Sequence, residues 1–283
     1  MLSVPEFVAV GHLTLDTAED GRTRPGGAAL YAGLLAWRLG LRVGLLTSFG
    51  PDFPPEVIPP DVEVVSLPAP ATTTFHLAYR GSAQRLRLEA RASPISRGDF
   101  PLHWTEARLA YLCPVADEVD PGLSVAFPEA GIGVGAQGWV RRWDPSGEVR
   151  ARPWEDPAPV LRESQALFLS RDDIRGWEVE ALALYQQVPV GALTFGAEGA
   201  ILFVNGERYP VTPAPAREVE PTGAGDVFAA AFLIRYAESQ DPWEAAGYAA
   251  AAGALVVEGE GISGVPSAEA LAARWEAYRR LLA

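Results

Sequence analysis

Glu220-Pro221-Thr222-Gly223-Ala224-Gly225-Asp226 runs without a break into Val227-Phe228-Ala229-Ala230-Ala231-Phe232-Leu233-Ile234. A proline and two glycines make a tight loop that leads straight into a helix. The glycines leave backbone N–H groups uncovered, and the helix start adds the positive end of its dipole. Together they form an anion site that needs no lysine. An aspartate at the mouth of such a site repels a phosphate unless it has a second task. Taking the proton from a hydroxyl that attacks a held phosphoryl group is such a task, because phosphoryl transfer depends on positioning and charge stabilisation. Taken alone, the segment also reads as a buried helix with an aspartate cap.

Upstream and downstream of this junction, short apolar runs alternate with longer amphipathic ones. The pattern predicts strands at 7–10, 42–47, 62–66, 109–112, 132–135, 166–169, 190–194 and 201–204. It predicts helices at 27–39, 172–187, 223–238, 242–258 and 267–282, the first closed by Gly40. This alternation implies an α/β fold: a doubly wound, mainly parallel sheet with helices on both faces. One stretch departs from it. Residues 72–80 and 84–91 alternate in character with period two around Gly81-Ser82, as a β-hairpin with one wetted face does. With residues 13–23 they make a small β-sheet lid inserted into the core. The expected boundaries are 1–12, 25–71 and 97–283 for the core, and 13–24 and 72–96 for the lid.

Composition narrows the chemistry. All 23 basic residues are Arg, so a lysine-dependent P-loop, a protein-kinase strand lysine and Schiff-base catalysis are excluded. A net charge of −13 argues against nucleic acid and anionic membrane as partners. A single Asn, a single Met and 25 prolines suit a heat-adapted protein, although a GC-rich genome gives the same preference for Arg. Cys113 stands alone, so no internal disulfide forms. The first ten residues lack a basic leader region and no apolar run approaches 18 residues, which predicts a cytoplasmic protein without a membrane span.

Residues 222–226 resemble the C-terminal signature of the ribokinase-like (PfkB) family of carbohydrate kinases, and matching motifs extend over nearly the whole chain. Gly11-His12-Leu13-Thr14-Leu15-Asp16 resembles the family's first strand, whose Asp binds substrate hydroxyls. Pro25-Gly26-Gly27-Ala28-Ala29 resembles the di-glycine turn that opens the sugar pocket. Thr47-Ser48-Phe49-Gly50-Pro51-Asp52 matches a strand-to-loop motif. Leu193-Thr194-Phe195-Gly196-Ala197-Glu198-Gly199 matches the strand and turn along the nucleotide, and the loop from Gly261 to Pro266 the one near the adenine. The resemblance implies ATP with Mg²⁺ as cofactors and a small sugar or polyol as substrate. It implies Asp226 as base and the amides of Gly223, Ala224 and Gly225 as the anion hole. Asp16, Gly26 and Gly27, with His12 and Tyr31 beside them, would hold the substrate. Thr194, Gly196, Gly199, Ser170 and Gly261 would line the nucleotide site, and Asp173 would reach a metal through water. A homodimer through the lid is an option that the resemblance leaves open.

Several positions depart from the family pattern. Tyr31 falls where a sugar-binding Asn is usual, Ser170-Arg171-Asp172-Asp173 replaces Asn-x-x-Glu, and Glu220 stands in for an Asp. The run Ala136-Gln137-Gly138-Trp139-Val140-Arg141 is similar to the inositol-kinase-like branch. A catalytically weak nucleotide- or metabolite-binding protein on the same scaffold is the competing reading. The spans from Gly133 to Gly138 and from Gly259 to Gly264 fit Gly-x-Gly-x-x-Gly but lack the following helix and acid that a dinucleotide site requires. Arg141 and Arg142 read as a solvated loop rather than a phosphate clamp, and Asp52 as either a substrate contact or a helix cap.

Overall fold

The computed structural model describes residues 4–80 and 83–282; the predicted Gly81-Ser82 turn lies outside the described residues. In chain order the elements are β1 (Phe7–Val10), β2 (Thr14–Thr17), β3 (Thr23–Gly26), α1 (Ala28–Arg38), β4 (Val43–Phe49), β5 (Glu63–Pro68), β6 (Thr73–Arg80) and β7 (Ala83–Ala90). Then come β8 (Leu109–Leu112), β9 (Gly131–Gly135), β10 (Arg141–Trp143), β11 (Val149–Ala151), α2 (Ala158–Leu161), β12 (Ala166–Ser170) and α3 (Glu178–Leu184). The chain ends through β13 (Val190–Thr194), β14 (Ala200–Val204), β15 (Glu207–Val211), α4 (Ala224–Ser239), α5 (Pro242–Val256) and α6 (Ala268–Leu282).

Nine strands form one sheet in the order β15-β14-β13-β12-β9-β8-β1-β4-β5, parallel from β13 to β5. Strands β14 and β15 add an antiparallel edge. Pro210 is tolerated in β15 because an edge strand can forgo one ladder bond. Strand β1 shows why the sheet is covered on both sides: all four residues are buried, Phe7 and Ala9 in one apolar cluster, Val8 and Val10 in the other. The first cluster is closed by α1, α4, α5 and α6. The second is closed by α2, α3 and the large side chains of Trp104, Phe127, Trp139 and Trp177. Residues 171–176 form turns, so the predicted helix over 172–187 shrinks to Glu178–Leu184; its first third carries the Ser170–Asp173 contact instead of helical bonds.

Helix α4 packs on the sheet through Phe232, whose ring meets that of Phe168 on β12 at 5.4 Å. Ala229, Ala230 and Ala231 are fully buried. Leu233 seats over Gly133 of β9, where a Cβ would approach it to 2.3 Å. This helix points its start at the carboxyl ends of the parallel strands. That rim, on either side of the central strand, is where open α/β sheets bind ligands.

The lid is a separate four-stranded sheet, ordered β3-β2-β6-β7. One face, carrying Thr14, Asp16, Phe75, Leu77 and Leu86, looks onto the rim. The hairpin β10–β11, which sequence periodicity assigns to a loop, adjoins the lid's β7 edge.

Candidate active site

A cleft of about 1020 Å³ opens between the lid, the β10–β11 hairpin and the carboxyl ends of the core strands. Its lining includes Thr14, Asp16, Gly27, Tyr31, Arg141, Asp173, Gly223 and Asp226. These eight residues come from five separate stretches of chain, and the fold alone brings them together.

Gly223 starts α4 with a φ of +81°, a left-handed conformation that favours glycine. A Cβ on it would also strike the Tyr31 ring at 2.4 Å. Gly225 differs: its φ is ordinary, and a Cβ would meet nothing within 4 Å. Neither backbone geometry nor protein packing requires glycine there, and the space beside its Cα is open. The Ala224 N–H is spent on Pro221 O at 3.2 Å, which removes it from the expected anion hole. The N–H groups of Gly223 and Gly225 have no acceptor among the described residues.

Asp226 lies in the first turn of α4 and its side chain faces the cleft. Withdrawal from water raises its pKa from 3.8 to about 7; Arg141 pulls it down, while Asp173 and Asp16 push it up. Asp16 is likewise raised by burial, to about 6, against a bond from Thr14 Oγ1 at 3.2 Å and the charge of Arg141. Gly26 makes room for this carboxylate, since a Cβ there would sit 2.4 Å from Asp16 Oδ2. Both groups therefore titrate near neutrality, where a carboxylate can exchange a proton with an alcohol-bound transition state.

Arg141 is the residue that sequence reading misplaced. Its side chain is only 18% exposed and stands 4.0 Å from Asp173 Oδ1. It faces Asp226 and Asp16 electrostatically and packs over the Phe75 ring at 5.9 Å. Arg142, by contrast, is exposed. The hairpin that carries Arg141 had one legible signal, the turn sequence Asp144-Pro145-Ser146-Gly147 with the strand formers Trp143 and Val149 on its flanks.

Tyr31 is 2% exposed, lines the cleft, and has no hydrogen-bond partner for its hydroxyl among the described residues. Burial and the charges of Asp16, Glu220 and Asp226 hold the phenol protonated, far above its ordinary range. His12 is fully buried with both ring nitrogens occupied, by Ser93 O at 2.8 Å and Thr73 Oγ1 at 2.7 Å. It supports the lid and is not part of the cleft lining. Asp52 is spent on Thr72, accepting from its N–H and hydroxyl.

The remaining expected residues, Ser170, Thr194, Gly196, Gly199 and Gly261, are not among the cleft lining. Ser170 donates through N–H and Oγ to Asp173 Oδ2, at 2.8 and 2.6 Å, so its hydroxyl is engaged. Thr194 closes β13; Gly196 and Gly199 take positive φ in the following turn, and a Cβ on Gly196 would meet nothing within 4 Å. Gly261 N donates to Glu220 Oε2 at 3.0 Å, and Glu220 also pairs with Arg24 of the lid strand β3. Among the described residues no group of three or more His, Cys, Asp or Glu side chains could hold a metal ion.

A doubly wound α/β core with a four-stranded lid, a carboxylate in the first turn of a glycine-led helix and a deep cleft between them define a phosphotransferase-type architecture. Residues 163–268 match the family model described as pfkB family carbohydrate kinase. The chain is 25% identical over 258 residues to a cytidine kinase of Thermococcus kodakarensis, covering 83% of this chain and 90% of that protein. A solved pyrophosphate-dependent myo-inositol-1 kinase converted to a myo-inositol-3 kinase superposes with a TM-score of 0.78 at 21% identity, over 96% of this chain and 99% of that one. Arabidopsis thaliana ribokinase complexed with ribose and ATP superposes with a TM-score of 0.70 at 17% identity, over 97% and 99%. Over residues 163–268 the chain is thus similar to the pfkB carbohydrate kinases, and over nearly its whole length it has the fold of the ribokinase family. No helix among the described residues is long and apolar enough to cross a membrane.

Proposed function

We propose that the protein transfers the terminal phosphoryl group of ATP to a hydroxyl of a sugar-bearing or polyol acceptor held beneath the lid. The observation that carries this reading is Asp226, which shares one cleft with Asp16 and the uncovered amides at the start of α4. Asp226 takes the acceptor's proton as the new O–P bond forms, while the bond between the γ-phosphorus and its bridging oxygen breaks and ADP leaves. The N–H groups of Gly223 and Gly225 and the helix dipole meet the negative charge that spreads over the transferring group. Arg141 keeps enough of Asp226 ionised to act as a base. Asp16 and the Tyr31 hydroxyl hold acceptor hydroxyls, and the lid keeps water away from the donor phosphate.

The open space above Gly196 and Gly225 fits a polyphosphate chain laid along the rim. Mg²⁺ fits only as a hydrated ion: Asp173 would hold it through water, because one of its oxygens is bonded to Ser170 and the other faces Arg141. When bound, the ion would neutralise charge on the donor phosphates.

For the acceptor, Phe75, Leu77, Leu86 and Val149 form an apolar wall on the lid side of the cleft. A flat base would cover that wall, which favours a nucleoside; a cyclic polyol such as inositol is the second reading, supported by the likeness to the myo-inositol kinase. Ribose, myo-inositol, cytidine and adenosine should be tested with Mg·ATP and with pyrophosphate, following phosphorylated product by phosphorus NMR. Product from at least one pair, lost by several orders of magnitude in Asp226→Asn, is the expected result. Tight nucleotide binding with no product from any pair would establish the binding-protein alternative.

A further inference from the structure

The β10–β11 hairpin belongs to neither layer of the core. It has three cross-strand pairs, Arg141–Ala151, Arg142–Arg150 and Trp143–Val149, and so short a ribbon is marginal by itself in water. Its order comes from contacts at both ends. At the tip, Leu88 N of β7 donates to Gly147 O at 2.9 Å, and Arg87 bridges antiparallel to Glu148. Gly147 is required at this seam: its φ is +83°, and a Cβ would stand 2.3 Å from Leu88 O. The turn is built in advance by Asp144, whose Oδ1 accepts from Ser146 N at 2.9 Å and Glu148 N at 3.2 Å. Trp143 lies under the Arg91 guanidinium at 5.6 Å. At its base the same hairpin starts with Arg141, and Val149, Arg150 and Ala151 line the cleft.

We propose that this hairpin is the positioning element of the acceptor site: its seam with β7 seats the lid edge and the Arg141 guanidinium as one unit. The seam also covers a strand edge that would otherwise be open. The consequence for chemistry rests on the phosphotransfer reading above; the seam itself does not. The groups that face Asp226 are Asp16 on β2, Tyr31 on α1, Tyr111 on β8, Cys113 beyond it, Asp173 after β12, and Arg141. Arg141 is the cation among them, so displacing it leaves Asp226 with no facing positive charge.

The test is Gly147→Val, with Asp144→Ala as a milder variant at an exposed turn that does not threaten the fold. Amide exchange is measured over 85–90 and 141–151, and the Asp226 titration by NMR of carbon-13-labelled aspartate; neither measurement needs turnover. Exchange should rise in both segments together in each variant, by tenfold or more for Gly147→Val, and the Asp226 midpoint should move to higher pH. If the protein is a kinase, kcat/KM for the acceptor should fall tenfold or more, and its pH limb should shift with that midpoint. Faster exchange confined to 141–151, or an unmoved Asp226 midpoint, overturns the proposal whether or not the wild type phosphorylates anything. Absence of product in the wild type with the exchange and titration results intact overturns only the phosphotransfer reading.

Discussion

Replacing Asp226 by Asn should make the fold more stable at pH 8 while removing activity. The carboxyl titrates at about 7 in the fold against 3.8 ordinarily. At about 1.4 kcal/mol per unit, that displacement is an upper bound of about 4 kcal/mol, and screening by cleft water brings the expected value to about 2–3 kcal/mol. Because the folded-state value is the higher one, the cost is absent below pH 4. It grows as pH rises between the two values and is complete above 7. Unfolding entropy for a chain of this size is on the order of 0.6 kcal/mol per degree, so the Asn variant should melt about 3–5 °C above wild type at pH 8. The two should melt together at pH 4. Calorimetry across this range gives the stabilities, while initial rates give the second half of the result. Wild-type kcat/KM should rise tenfold per pH unit up to about 7 and then level, and the variant should lose about 10²–10⁴-fold or more. A melting difference independent of pH, or a wild type that gains on the variant as pH rises, would refute the assignment of a desolvated base.

Arg141→Met should move the same pH limb upward and lower kcat/KM by about a hundredfold, since the cation facing Asp173, Asp226, Asp16 and Glu118 is gone; an unshifted limb would show that Arg141 does not set the base. Gly223→Ala and Gly225→Ala should separate folding from binding. The first meets Tyr31 at a positive φ and should lower Tm by the equivalent of about 2 kcal/mol. The second should keep or raise Tm, gaining up to about 1 kcal/mol of helix propensity, yet weaken donor binding measured by calorimetric titration. Arg24→Met severs the lid strand from Glu220 and Glu260; the acceptor KM should rise about tenfold with less than about 1 kcal/mol lost in stability, read from initial rates and denaturant midpoints.

How far the sequence was legible depends on how local each signal is. The start of α4 could be read from Thr222 to Asp226 because loop, dipole and carboxylate are neighbours in the chain. Strand β1 could be read because burial on both faces makes an unbroken apolar run. Strands β10 and β11 could not be found by periodicity: three residues each, with arginines at three of the six positions, give no period to count. Arg141 was misjudged for the same reason. Its partners at 16, 173 and 226 lie 125, 32 and 85 residues away, and only the packed fold shows that a charged residue in an apparent loop points inward. His12 carried the opposite error. Its place beside the cleft was readable, but Thr73 and Ser93, which occupy its ring, come from the lid and the segment behind it.

The height of Asp226 above the sheet is set by the side chains between α4 and the strands, Phe232 against Phe168 and Leu233 in the hollow over Gly133. Such a spacer cannot be thickened without raising whatever it carries. Adding one carbon at Gly133, on the far side of the helix from any ligand, would tilt or lift the catalytic turn, and errors of about 1 Å at reacting atoms can cost about a hundredfold in rate. Under the proposed mechanism, catalytic tuning is thus open to changes at positions deep in the apolar interior that no ligand reaches.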